Sequence, residues 1–329
     1  MPDIFTVSAS PHIRSRLDTG AVMRLVCVSL LPAVLASAYI FGVRALLVIV
    51  VSVATCVLTE LLCNRVFRKE ITVTDWSAAV TGILFAFTLP PTTPLWMTAI
   101  GGFVAIFVVK QLFGGLGYNI FNPALAARAI LLSSWPVALT TWVQPAQSFL
   151  AVDAVTGATP LGIIKEASGV AGTPQPAYSY LDLLLGNVPG SLGETCKVAL
   201  LLGAILLLVL KIIDWRIPFT FIGTVAVLSI PMGRDPLAAV LSGGLILGAF
   251  FMATDLVTSP TTKGGKLLFG LGCGVLTSLI RSYGGFPEGV CYSILFMNCL
   301  TPLIDKCVQP RVFGTRRGWL GLKGGERHA

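Results

Sequence analysis

Long apolar runs constrain the fold of this chain more than any other feature of its sequence. Residues 45–62, 198–210 and 237–253 carry almost no charge, and about 20 helical residues at 1.5 Å each cross the roughly 30 Å hydrocarbon core of a bilayer. Hydrophobic residues make up 55% of the 329 residues and charged residues only 12%, against about 25% in soluble domains. The sequence therefore predicts an all-α polytopic membrane protein without a soluble domain of ordinary size.

Ten candidate membrane spans can be drawn, at residues 21–41, 45–62, 76–89, 95–109, 123–142, 198–210, 217–232, 236–254, 267–280 and 289–304. With the N-terminus in the cytoplasm, most of the 23 Lys and Arg residues fall in cytoplasmic segments, as the positive-inside rule requires. Topology then explains the net charge of +8, and no nucleic-acid partner is predicted. Both termini are expected in the cytoplasm, and the long loop 143–196 on the opposite side.

Two parts of the chain resemble each other, which suggests a duplication. Residues 82–88 match residues 248–254, and each stretch is followed by a proline, while the glycine pair at 114–115 matches the pair at 284–285. Each half holds five predicted spans, an odd number, so the second copy would be inverted in the membrane. We expect an N-terminal stub at 1–20, a first five-helix repeat at 21–142, the loop at 143–196, a second five-helix repeat at 197–305 and a basic cytoplasmic tail at 306–329.

The matching segments end at Thr88 and Thr254, where proline-containing strings follow. Prolines there leave helix carbonyls without partners, which is tolerated at membrane depth only where protein or a cavity satisfies them. Paired interruptions of this type are typical of a site near the membrane midplane. Asp255 is the carboxylate nearest to such a break. It is either a solvated interfacial residue or a residue that faces a ligand or an ion.

A turn rich in glycine and asparagine, residues 114–123, precedes the fifth span. Asn122 is placed to cap the helix that Pro123 opens, and Asn119 lies in the same turn. Free N–H groups at such a turn can bind a carbonyl or a phosphate, although a capped re-entrant turn without a ligand gives the same pattern. Arg128, inside the span that follows, is costly unless it is paired or near a ligand.

The eight cysteines show no CxxC spacing and lie mostly in apolar runs. Such cysteines are typical of small buried apolar side chains in membrane spans. The sequence therefore predicts no metal site.

The loop 143–196 carries the motif Asp153-x-x-Thr156-Gly157-Ala158-Thr159. By itself the motif indicates only a polar turn. It resembles the acceptor pattern of flavin transferases, in which FMN is esterified through its phosphate to the last threonine.

Further motifs accompany it in order, at residues 114–124, 190–195, 251–260, 284–289 and 297–305. Over residues 76–312 the chain resembles the RnfD/NqrB family, which contains the D-type membrane protein of the Rnf electron transport complex and the B-type membrane protein of the sodium-pumping NADH:quinone reductase. The short N-terminal stub favours the D-type branch, and the B-type interpretation stays as an alternative.

The resemblance implies a ten-helix bundle of two inverted repeats, similar to urea transporters. It implies FMN attached to Thr159 by a flavin transferase, and a riboflavin in the bundle near the breaks at Thr88 and Thr254 or the turn at Asn122. The chain would be one component, not catalytic alone, of a redox-driven pump in the bacterial cytoplasmic (inner) membrane. That pump would couple electron transfer between ferredoxin and NAD to Na⁺ or H⁺ transport.

Dinucleotide and iron–sulfur motifs are missing from this sequence, so those cofactors, like a further flavin, would belong to partner subunits. The predicted cofactor-binding residues are Thr159, Thr156, Gly157, Ala158, Asp153, Asn119, Asn122, Arg128, Glu194, Thr254 and Asp255. Glu194 is expected to cap or order the loop. Lys165 and Lys197 could offset the phosphate charge, but the sequence favours solvated surface charges at both positions.

A solute channel or transporter is the competing hypothesis. An inverted repeat with interrupted helices suits permeation equally well. The motif that ends in Thr159 distinguishes the two hypotheses, because a channel has no need of a flavin acceptor.

Overall fold

The computed structural model describes residues 18–69, 72–145, 157, 159–167, 178–285 and 288–309. Within these ranges the chain forms helices joined by turns, with no β-strand, which confirms the all-α prediction. Three residues of the predicted flavin motif, Asp153, Thr156 and Ala158, lie outside the described residues.

The first half contains six α-helices, of which the fourth continues into a short π-helix at Phe107–Gln111. They are α1 (Thr19–Phe41), α2 (Val43–Val66), α3 (Ser77–Phe87), α4 (Leu95–Ile106), α5 (Pro123–Ser134) and α6 (Pro136–Thr140). The predicted span 123–142 is therefore two helices. Trp135 breaks it, because a residue that precedes a proline is disfavoured in the α conformation.

Two short helices, α7 (Pro160–Ala167) and α8 (Tyr180–Leu185), lie within the predicted loop 143–196. The second half then contains α9 (Lys197–Val209), α10 (Arg216–Ser229), α11 (Pro236–Leu241), α12 (Leu245–Leu247), α13 (Lys263–Tyr283) and α14 (Val290–Cys307). A π-helix, Gly248–Met252, continues α12. The predicted span 236–254 is thus interrupted at Ser242-Gly243-Gly244, where Gly243 has a φ of +69° that suits glycine.

In the described part of the chain, three helices, α1, α2 and α13, are long and apolar enough to cross a membrane, and several shorter apolar helices accompany them. The chain is therefore a membrane protein. Each of the ten predicted spans overlaps a helix. The number of crossings and the orientation of the termini stay predictions.

Both halves contain a helix glycine that packs closely against a threonine hydroxyl of a neighbouring helix. In the first half, a Cβ added to Gly102 of α4 would lie 2.4 Å from Thr55 Oγ1 of α2. In the second half, a Cβ added to Gly270 of α13 would lie 2.0 Å from Thr220 Oγ1 of α10. Small residues let membrane helices approach closely. The duplication and its inversion stay predictions.

The carbonyls freed at the end of α3 are satisfied by the segment that precedes α9. Leu192 N donates to Leu89 O and Gly193 N donates to Phe87 O, both at 3.0 Å. Protein therefore meets the requirement that the sequence predicted for the first break. This contact also places residues 190–195 against α3.

Candidate functional site

Thr159 directly precedes α7 and lines a small pocket, here called the Thr159 cavity. Its side chain is 8% exposed, and its hydroxyl accepts a hydrogen bond from Gly162 N at 3.1 Å. Pro160 follows at the first helical position. Thr159 is therefore the N-cap of α7. Just before it, Gly157 N donates to Trp142 O at 3.0 Å and ties the motif to the residues after α6.

Five polar side chains from distant parts of the sequence join Thr159 in lining this cavity: Glu194, Thr195, Lys197, Ser242 and Glu288. Lys197 is 1% exposed, and its ammonium group donates to the main-chain carbonyl of Glu194. Among the described residues, none of the ion pairs includes Lys197. The prediction that Lys197 is a solvated surface charge is wrong, because the first turn of α9 is buried. Nothing is described of the Lys165 side chain.

Arg128 contributes to this region through Glu288. Its guanidinium donates to Glu288 Oε2 at 2.8 Å, and both side chains are 13% exposed. The pairing satisfies the requirement that an arginine inside a span be paired. Arg128 does not line the Thr159 cavity itself.

Two charged residues hold the interruption between α11 and α12. Arg281 donates to Ala239 O at 2.6 Å and to Ser242 O at 3.1 Å, at the carbonyl end of α11. Gly244 N donates to Glu288 Oε1 at 2.6 Å, at the amide end of α12. A cation at a helix C-terminus and an anion at a helix N-terminus both complement the backbone dipoles.

The predicted residues Asn119, Asn122, Thr254 and Asp255 meet at a second place, a cleft with about 790 Å³ of empty space, part of it open to solvent. We call it the Asn119 cleft. Asp255 is partly exposed in this cleft, and Thr258 Oγ1 donates to its Oδ2 at 3.2 Å.

Asn122 is occupied by backbone contacts. Its Oδ1 accepts from Ala124 N at 3.1 Å and Leu125 N at 3.3 Å, which confirms the predicted cap. Its Nδ2 donates to Met252 O at 3.3 Å, in the π-helix of the other half. Asn122 therefore shapes the cleft by fixing two helices. Thr254 is similarly engaged, since its hydroxyl donates to Phe250 O at 2.6 Å.

A buried ion pair borders the Asn119 cleft. Lys110 Nζ lies 2.8 Å from Glu60 Oε1, with side chains 2% and 1% exposed, and it also donates to Ser77 Oγ at 2.6 Å. Glu60 lies inside a predicted span, and Lys110 follows directly after another. The rule that charges in spans need partners predicts a partner for Glu60 and for Lys110, as it does for Arg128.

Sequence reasoning also missed Glu288, Arg281 and Ser242. Glu288 lies in the motif 284–289, so its position in a polar motif between two spans was the available signal. The five cysteines Cys27, Cys56, Cys63, Cys273 and Cys291 are buried, and all eight cysteines are free thiols. Among the described residues, no cluster of histidine, cysteine and acidic side chains could hold a metal ion.

The fold and the two cavities define an all-helical membrane protein whose polar sites lie at helix interruptions. The chain belongs to the NQR2, RnfD, RnfE family, whose model matches residues 6–314.

It is similar to the D subunit of the proton-translocating ferredoxin:NAD(+) oxidoreductase complex of Clostridium ljungdahlii, with 48% identity that covers 96% of this chain and 98% of the relative. It is also similar to the D subunit of the Na(+)-translocating ferredoxin:NAD(+) oxidoreductase complex of Acetobacterium woodii, with 46% identity that covers 95% and 96%. The D subunit of the ion-translocating oxidoreductase complex of Halorhodospira halophila shares 37% identity over 94% and 95%.

Proposed function

We propose that this chain is the D-type membrane component of an ion-translocating ferredoxin:NAD⁺ oxidoreductase complex, and that it carries FMN on Thr159 through a phosphoester. The names and coverage of its relatives support the first part. The observation that carries the second part is the burial of Lys197, without a carboxylate partner in the described residues, in the cavity that Thr159 lines. The complex would couple electron transfer to Na⁺ or H⁺ transport.

The charges around Thr159 fit a phosphoester. Three cations, Arg128, Lys197 and Arg281, lie near two carboxylates, Glu194 and Glu288. The cations outnumber the carboxylates in either protonation state of Glu194, so positive charge is in excess, and a phosphodiester carries one negative charge. Burial makes such a balance important, because an uncompensated charge in a low-dielectric interior costs several kcal/mol.

The position of Thr159 at a helix N-terminus fits as well. The first N–H groups of α7 and its backbone dipole favour an anion there. A phosphate on Thr159 Oγ1 would lie beside these groups, and Lys197 would supply a charge-assisted hydrogen bond. Covalent attachment through the phosphate leaves the flavin ring free for redox chemistry, which the cofactor itself supplies.

A second flavin, riboflavin, is proposed for the Asn119 cleft. The cleft is lined largely by apolar side chains with a few polar groups, as ligand sites are, and Asn119 and Asp255 offer a ligand there an amide and a carboxylate. Asn122 and Thr254 would shape this site through their backbone contacts.

The same proposal includes ten spans in two inverted repeats, similar to urea transporters, in the bacterial cytoplasmic membrane. The termini would be cytoplasmic, and Thr159 would lie on the outer side. Iron–sulfur and further flavin-bearing subunits would be partners, and a flavin transferase would load Thr159.

Denaturing electrophoresis of the chain, produced together with a flavin transferase, tests the covalent flavin. We expect a fluorescent band for the wild type, no fluorescence for Thr159→Ala or the isosteric Thr159→Val, and normal fluorescence for the matched control Thr140→Ala. Thr140 is exposed and donates to Pro136 O within α6, so its loss leaves the cavity intact. A non-fluorescent wild-type band would overturn the flavin proposal, and solute flux through the reconstituted chain would then favour the channel.

A further inference from the structure

Glu194 has an unusual environment for a carboxylate. Its side chain is 6% exposed, in the turn between α8 and α9. One oxygen, Oε1, accepts from Ser191 N at 3.1 Å. The other, Oε2, is buried and has no hydrogen-bond partner among the described residues. A buried ionised oxygen without a donor is costly, so this atom requires a proton or a donor.

Glu288, its neighbour, has both oxygens engaged. Oε2 accepts from Arg128 at 2.8 Å and Oε1 accepts from Gly244 N at 2.6 Å. A Cβ added to Gly244 would lie 2.7 Å from Glu288 Oε1 and 3.3 Å from Glu194 Oε2. The two carboxylates therefore face the same backbone position. Like charges this close disfavour double ionisation, and the carboxylate that lacks donors is the one that takes a proton.

The cations around Glu194 donate to other groups. Lys197 donates to the main-chain carbonyl of Glu194, Arg128 to Glu288, and Arg281 to the carbonyls of Ala239 and Ser242. In the described part of the chain, none of these three donates to the Glu194 carboxylate. The positive charges of these three side chains favour ionisation of the Glu194 carboxyl group, but none of them gives Oε2 a hydrogen bond.

Two buried hydroxyl groups share the cavity with Glu194. Thr195 and Ser242 both line the Thr159 cavity and are 1% exposed. Their hydroxyl oxygens have no hydrogen-bond partner among the described residues. Neither hydroxyl forms a hydrogen bond with Glu194 Oε2, so neither supplies the missing donor.

We propose that Glu194 Oε2 is a proton-binding site of the Thr159 cavity, occupied at neutral pH. On binding, a hydronium ion from solvent gives up a proton and an O–H bond forms at Glu194 Oε2; on release that bond breaks and water takes up the proton. No electron moves in this step. The site does not depend on a flavin at Thr159.

Infrared spectroscopy of the intact complex, labelled with ¹³C-glutamate, tests the site. At neutral pH an ordinary glutamate, with a pKa of about 4.3, is ionised. We expect a protonated glutamate carbonyl band in the wild type and in Thr159→Ala, and its loss in Glu194→Gln. The band should weaken in Glu288→Gln, because the like charge beside Glu194 is lost, and it should persist in the control Asp235→Asn, whose side chain is partly exposed.

Glu194→Asp serves as a second variant, in case Glu194→Gln does not assemble. It should abolish the labelled-glutamate band and, in a preparation labelled with ¹³C-aspartate, introduce an aspartic acid band. Absence of the band in the wild type, or its persistence in either Glu194 variant, would overturn the proposal. Loss of the band in Thr159→Ala would contradict the statement that the Glu194 site does not depend on the flavin. A wild-type complex that lacks the flavin but shows the band would contradict the proposed function alone.

Discussion

Substitution of Gly193 by alanine should separate the segment 190–195 from α3. A Cβ at Gly193 would lie 2.2 Å from Phe87 Cβ, 2.4 Å from its Cγ and 2.7 Å from its Cδ2, whereas ordinary van der Waals contact begins at 3.4 Å. The two segments must therefore move apart by about 1 Å or more. Because Phe87 Cβ is itself one of the clashing atoms, a change of its rotamer cannot relieve the overlap.

The expected loss of stability follows from these contacts. Separation breaks the hydrogen bonds from Gly193 N to Phe87 O and from Leu192 N to Leu89 O, each worth about 1 kcal/mol. Overpacking adds about 1–3 kcal/mol. We expect Gly193→Ala to lower the free energy of unfolding by about 3–5 kcal/mol.

Denaturant-induced unfolding in mixed micelles measures this loss. The matched control is Gly223→Ala in α10, where an added Cβ would meet nothing within 4 Å and alanine should stabilise the helix by about 1 kcal/mol. A Gly193→Ala chain with a stability within about 1 kcal/mol of the wild type would refute the close packing on which this reasoning depends.

Two further perturbations follow from the ion pairs. Glu288→Gln and Arg128→Met should each lower the free energy of unfolding by about 3 kcal/mol, because each leaves a partly buried charge without its partner. In a thermodynamic cycle, the double variant should lose less stability than the sum of the two single variants. Additive losses would contradict the pairing. For Asp214, burial raises the pKa, but the hydrogen bond from Arg216 N and the contacts with Lys266 and Arg216 hold it below its ordinary range. Its stabilising effect should therefore be complete above about pH 4 and decrease as the pH falls further. Asp214→Asn should remove the decrease in melting temperature that protonation of Asp214 causes below about pH 4. A variant with the same dependence of melting temperature on pH as the wild type would contradict this prediction.

Local rules made several features of this chain predictable. Apolar runs located the helices, and the Asn122-Pro123 pair predicted the start of α5, because both depend on neighbours in the sequence. The need for partners at the end of α3 was also predictable. The identity of those partners, Leu192 and Gly193, was not, since they lie about 100 residues further along the chain.

The candidate site depended more on packing between distant helices. Arg128 and Glu288 are 160 residues apart and meet only because α5 packs on α14. The sequence shows that Lys197 lies at the edge of an apolar run, but not that the first turn of α9 faces the interior. For the same reason, the predicted site residues divide between two cavities, which a linear motif cannot reveal.

Mass spectrometry of the peptide that contains Thr159 tests the central claim most directly. Wild-type chain produced with a flavin transferase should yield this peptide with the added mass of FMN less one water, and fragmentation should locate the addition on Thr159. Thr159→Val should yield only the unmodified peptide. An unmodified wild-type peptide, or an addition located on Thr156, would contradict the account.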